Sequence, residues 1–236
     1  MKRQRGIALI LVVLVTSFLS AIGLGLALIV IMDRLATGNL RSSVAMLYAA
    51  DAAIELAARD LAMLDDWSLA LAGASRSNFV DGPEGGLRAI PGGGVVDLTA
   101  ATNLLNCGKV TSCTAAQMDA NSKERPWGAN NARWQLYAYG PFAGIAQLAR
   151  PAPCYLAVWV ADDRREEDAD PLTDGEAEGT PGHGVVRLRA EAYGPMGGRR
   201  AIEAELVRHC LPGGGSGGCR LRNRVQSWQE VRQWLP

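Results

Sequence analysis

The chain has 236 residues, with 24 Lys and Arg against 24 Asp and Glu, two His and five Cys. Balanced charge argues against wrapping nucleic acid or docking on an anionic surface by bulk electrostatics, so nucleic acid is a partner that charge does not support. The length suits one domain of roughly 150 to 170 residues plus an N-terminal segment with a separate task.

Lys2, Arg3 and Arg5 precede a run over residues 7–32 that carries no charge. As a helix its length is about 39 Å, enough to cross a hydrocarbon core. Asp33 and Arg34 close the run. The basic flank keeps residues 1–6 in the cytoplasm and exports the rest. A secretory signal has a shorter apolar core and a small-residue cleavage site, for which Ala27 lies too deep; an uncleaved signal anchor is the plain alternative.

Residues 42–64 lack Pro and Gly, and Leu47, Ile54 and Leu61 give an apolar stripe at helical spacing, so the helix is expected to run to about Leu64. Small residues along it (Ala45, Ala49, Ala52, Ala53, Ala57, Ala58) permit close approach of another backbone, from the chain's own domain or from a neighbouring subunit. Gly23, Gly25 and Gly38 are points where it is expected to kink or partly melt on assembly.

Beyond residue 64, clusters of Gly, Pro, Asn and Ser at 72–95, 101–131 and 171–184 predict loops between short strands. Strands are expected over 134–139, 155–161, 185–193 and 201–209, the last two a hairpin closed by Gly194-Pro195-Met196-Gly197-Gly198. Val186, Leu188, Ala190 and Ala192 alternate with Arg187, Arg189 and Glu191, the pattern of a sheet with one wet face. Arg187 and Arg189 opposite Glu203 and Glu205 are expected to set register. Ala-Tyr-Gly-Pro ends two strands, at 138–141 and 192–195. Trp228, Val231, Trp234 and Leu235 predict a short amphipathic helix at the C-terminus. The fold class is α+β: a long helix against an antiparallel sheet of about four strands.

Cys210 and Cys219 bracket a Gly-rich loop and Cys107 and Cys113 a short polar one, so two disulfides are expected in an exported domain, with Cys154 left over. Zinc is disfavoured because His183 and His209 lack ligand spacing, and no metal or cofactor is expected. The acidic run from Asp162 to Glu178 misplaces Leu172 and Pro181 for a calcium loop, which predicts a solvated connection. No nucleophile elbow or phosphate loop is present, so no catalytic residue is assigned and an enzyme is not expected.

Arg5-Gly6-Ile7-Ala8-Leu9, with Gly at the boundary of a charged leader and an apolar helix, resembles the prepilin peptidase site of type IV pilins. The resemblance implies cleavage between Gly6 and Ile7 and N-methylation of Ile7. Leu11 then occupies the mature fifth position, where most pilins carry Glu. That departure is shared by PilX-type minor pilins and by K-type pseudopilins of type II secretion. The run from Asp33 to Arg41, with Gly38, Asn39 and Arg41, and the block Ala49-Ala50-Asp51-Ala52-Ala53 resemble the PilX N-terminal signature. The implied organisation is a leader over 1–6, a helix over 7–64 and an extracytoplasmic domain over 65–236, in a pilin-like ladle. Leu11, Gly38, Asn39, Arg41 and Asp51 would serve helix assembly, and the 210–219 loop would be a contact site. The implied function is that of a minor pilin in a tip complex that primes assembly, moving from the inner membrane to the filament tip. The implied partners are other minor pilins, the major pilin, a tip adhesin and the assembly platform. A K-type pseudopilin is the alternative, although 236 residues leave little room for that branch's large helical insert.

Overall fold

A computed structural model describes residues 5–121, 132–145, 152–166, 170–175, 182–212 and 219–231, with the side chains at 5, 6, 121, 210–212 and 219–221 outside the description. The chain divides into two compact units, Met1–Ser42 and Ser43–Pro236.

Helix α1 runs over Arg5–Leu61. It stops three residues before the expected Leu64, where Leu64 N donates to Leu61 O in a closing turn. Gly23, Gly25 and Gly38 lie inside the helix, and a Cβ at any of them would point into open space. In the first unit the large apolar side chains, Ile7, Leu11, Phe18 and Leu40 among them, are all exposed.

In the second unit, Met46, Ala49, Ala50, Ala53, Ile54, Ala57 and Leu61 recur at three- and four-residue steps and are buried. They pack on Leu156, Val158, Val160, Val186, Leu188, Ile202, Ala204 and Leu206. Four of the seven are alanines, which bring the helix backbone close to the sheet. Full burial of Ile54 or Leu61 contributes about 1.5 to 3 kcal/mol each.

The sheet is an antiparallel meander in the order β3-β4-β5-β6-β7. Its strands are β3 (Gln135–Pro141), β4 (Tyr155–Asp162), β5 (Val185–Tyr193), β6 (Arg199–Pro212) and β7 (Cys219–Glu230). The expected hairpin is β5–β6, with Arg189 opposite Glu203 and Arg187 opposite Glu205. The expectation of four strands is corrected to five. Trp228, read as part of a terminal helix, lies in β7, while Trp234 and Leu235 lie outside the described residues. The physical reason is legible in residues 220–225, Arg-Leu-Arg-Asn-Arg-Val, whose period is two and not 3.6.

A second correction concerns the supposed wet face. Arg187, Arg189 and Glu191 are buried. That face carries its own apolar cluster, in which Tyr139, Tyr155, Trp159 and Tyr193 pack with Ile90, Val96, Leu98 and Ala101. The cover comes largely from residues expected to be loop, within 72–95 and 101–131: the hairpin β1 (Leu87–Ala89) with β2 (Val95–Asp97), and α3 (Leu98–Cys107). The Asp97 carboxylate caps α3 by accepting from Thr99 N and Ala100 N, and Gly108 ends it in the left-handed conformation. Trp159 Nε1 donates to Thr102 Oγ1 at 2.8 Å, joining β4 to α3. Two further short helices, Ser68–Leu71 (α2) and Ala115–Asn121 (α4), complete the described α-helices.

Candidate assembly helix and interaction surfaces

Gly6 and Ile7 both lie within α1, and the side chains of Ile7, Leu11, Asn39 and Arg41 are exposed. Over residues 7–41 no side chain is buried. The segment is long and apolar enough to cross a membrane, which is compatible with a single-pass anchor. Its Thr16 hydroxyl bonds back to Val12 O and Val13 O, both at 3.0 Å, so this polar group needs no water.

Asp51 belongs to the second unit, where it has a partner within the chain: Trp228 Nε1 donates to Asp51 Oδ1 at 2.8 Å. Asn223 Nδ2 donates to Ala58 O at 3.4 Å, and the Arg200 guanidinium donates to Ser43 Oγ. These three bonds fasten β6 and β7 to α1.

Cys107 and Cys113 form a disulfide, with a Cα–Cα distance of 5.8 Å. Cys154 is a free, buried thiol whose pKa burial pushes up to about 11. The side chains of Cys210 and Cys219, with the loop between them, lie outside the described residues.

On the covered face, Glu191 accepts from Arg189 Nε and Arg199 Nε, each at 2.8 Å, and from the Tyr193 hydroxyl. Glu203 accepts from Arg187 and Arg189, and the Arg187 guanidinium stacks 5.0 Å from the centre of the Trp134 ring. Each carboxylate is thus compensated by guanidinium groups, Glu191 fully buried and Glu203 partly so.

Within the acidic run expected to be a solvated connection, Asp162, Asp163, Glu166 and Asp174 are buried, Arg165 and Asp170 are exposed, and residues 167–169 and 176–178 lie outside the described residues. Asp174 ties three elements together. Its Oδ1 accepts from Gly184 N at 2.8 Å, its N donates to Ser68 Oγ at 3.1 Å, and its carbonyl lies 2.9 Å from His183 Nδ1. Burial raises its pKa to about 6, while Gly184 N and the charges of His183 and Arg208 act in the opposite sense. Among the described residues no grouping of His, Cys, Asp and Glu could hold a metal ion.

The surface that sequence reasoning missed is the β7 side of the second unit. A groove of about 530 Å³ lies between the last turns of α1 and strands β6 and β7. The alternation in residues 220–225 was the available signal for the strand; the groove itself depends on pairing distant in sequence. Comparisons with known family models, with curated proteins and with solved structures find no match.

Proposed function

We propose that the chain is a minor pilin of the PilX type, held in the inner membrane by α1 and then incorporated at the tip of a type IV filament. The observation that carries this reading is the exposure of the whole apolar face of α1 over residues 7–32, directly behind the Arg5-Gly6-Ile7 boundary. In water so large an apolar surface is unfavourable, and either a bilayer or a bundle of equivalent helices from neighbouring subunits removes it. The helix-on-sheet architecture of the second unit is compatible with the ladle that the resemblance implies.

In this reading peptidase cleavage exposes the amine of Ile7, and Leu11 stands where other subunits carry a carboxylate. A subunit without that charge does not require the ammonium of a preceding subunit to neutralise it in a low-dielectric filament core. It therefore suits the first position, nucleating the filament with other minor pilins and presenting its exported domain at the tip.

The test is the N-terminal mass of the protein recovered from membranes with and without prepilin peptidase. A chain beginning at methylated Ile7 only when the peptidase is present is the expected result. Retention of residues 1–6 in both overturns the reading in favour of a signal-anchored protein.

A further inference from the structure

The two edges of the large sheet are treated differently. At β3, Ser77 N donates to Tyr137 O, Tyr139 N donates to Phe79 O, and Val80 bridges to Tyr139, so residues 77–80 cover the edge. At the other end β7 pairs, among the described residues, only with β6. An uncovered strand leaves a row of backbone donors and acceptors that another extended chain can satisfy.

The side chains along this edge have a definite chemistry. Arg222 pairs in register with His209 and Arg224 with Val207, while Asn223 and Val225 pair with Arg208 and Leu206. Asn223 bonds α1 and Val225 packs on the core under it, so Arg222 and Arg224 belong to the opposite face. Arg187, Arg189, Arg199 and Arg200 on β5 and β6 each have a carboxylate partner. Arg222 and Arg224 are exposed and have none among the described residues. The groove beside this edge is lined by Ala58, Ala62, Leu206 and Val225, with Glu55 and Arg59 on the α1 side and Arg222 at the β7 rim.

We infer that the β7 edge at residues 222–225 is a docking strand for an extended acidic segment of another protein. The segment adds to the sheet with alternate carboxylates toward Arg222 and Arg224 and small apolar side chains toward the groove. Period two in the incoming strand matches period two in β7, so a Glu-Ala alternation presents acid to one face and methyl groups to the other. A second copy of β7 is the wrong occupant, since it would set Arg222 and Arg224 against the same arginines. At Gln226, which has no partner between the pairs Leu206–Val225 and Glu205–Ser227, a bulge breaks the ladder and limits the regular stretch available to the guest. The inference does not rest on cleavage of the leader.

The experiment uses the full chain in detergent micelles and a fluorescein-labelled peptide of five Glu-Ala repeats, read by anisotropy, with amide hydrogen exchange on the same complex. Saturable binding, slowed exchange at residues 222–225, and at least a tenfold loss of affinity in Arg222→Glu/Arg224→Glu are expected. The milder Arg222→Gln/Arg224→Gln pair, checked for unchanged melting, gives an intermediate loss. Three results overturn the proposal: no binding; equal binding of a peptide with proline in place of every second alanine, which reduces the site to surface charge; or stronger binding of a single-stranded oligonucleotide of equal charge. Aggregation of the glutamine pair without peptide binding by the parent chain also overturns it, because the arginines then only guard the edge.

Discussion

Trp228 and Asp51 lie 177 positions apart in sequence and are joined by a 2.8 Å hydrogen bond from the indole to the carboxylate, which fastens the last strand of the sheet to the alanine-rich helix. Because Trp228 is 47% exposed, water competes for the bond. Trp228→Phe and Asp51→Ala should each cost about 1 kcal/mol. Urea unfolding of the two single variants and the double should show a coupling of at least about 0.5 kcal/mol, and additive effects would mean the bond does not hold β7.

The repeated Ala-Tyr-Gly-Pro has a packing cause. A Cβ on Gly140 would lie 2.8 Å from Phe79 Cζ, and one on Gly194 would lie 2.3 Å from Met46 Sδ. Each glycine is a strand end over which an apolar side chain passes at contact distance. An aromatic ring yields less than a thioether. Gly140→Ala should therefore destabilise by about 1 to 3 kcal/mol and Gly194→Ala by less, and thermal melting of the two variants side by side checks the order.

Glu191 is fully buried and holds Arg189, Arg199 and Tyr193. Removing it leaves a buried guanidinium with reduced compensation. Glu191→Ala should destabilise by about 3 kcal/mol, whereas Glu191→Gln, which keeps an acceptor, should lose less. Denaturant midpoints of both variants read this difference directly.

Asp174 gives a pH dependence whose direction is fixed by burial. Its folded-state pKa of about 6 lies above the ordinary carboxylate value of 3.8, so the folded chain holds this proton more tightly than the unfolded chain. The stabilisation is complete below about pH 4, declines as pH rises, and is gone above about pH 6, a span of at most about 3 kcal/mol. His183 and Arg208 face the group as cations and Asp66 as an anion. Asp174→Asn should flatten the stability profile between pH 4 and 7 relative to the parent chain, and an unchanged slope would assign the dependence to another group.

The β5–β6 hairpin was fully legible, because alternation over 185–193 and 201–207 and the glycine turn between them are local signals that burial on the sheet does not override. What alternation could not supply was the environment of the second face. Arg187, Arg189 and Glu191 read as solvated, and they become buried on a face that α3, the β1–β2 hairpin and Trp134 close over. The terminal strand was misread through Trp228 and Val231, whose spacing suits a helix, while residues 220–225 carried the opposing period of two. The Cys107–Cys113 pairing was foreseen by proximity in sequence.

The sequence by itself determined the apolar N-terminal helix, its charged boundary at Arg5-Gly6-Ile7 and the α+β class, since each rests on runs and periods within a few turns of chain. The tertiary structure alone decided that the alanine face of α1 is occupied by the sheet, that Arg187, Arg189 and Glu191 of β5 are buried, and that β7 ends the sheet with two arginines lacking a carboxylate among the described residues. Those properties depend on which distant segments come together to exclude water or leave an edge uncovered, and no local period records that.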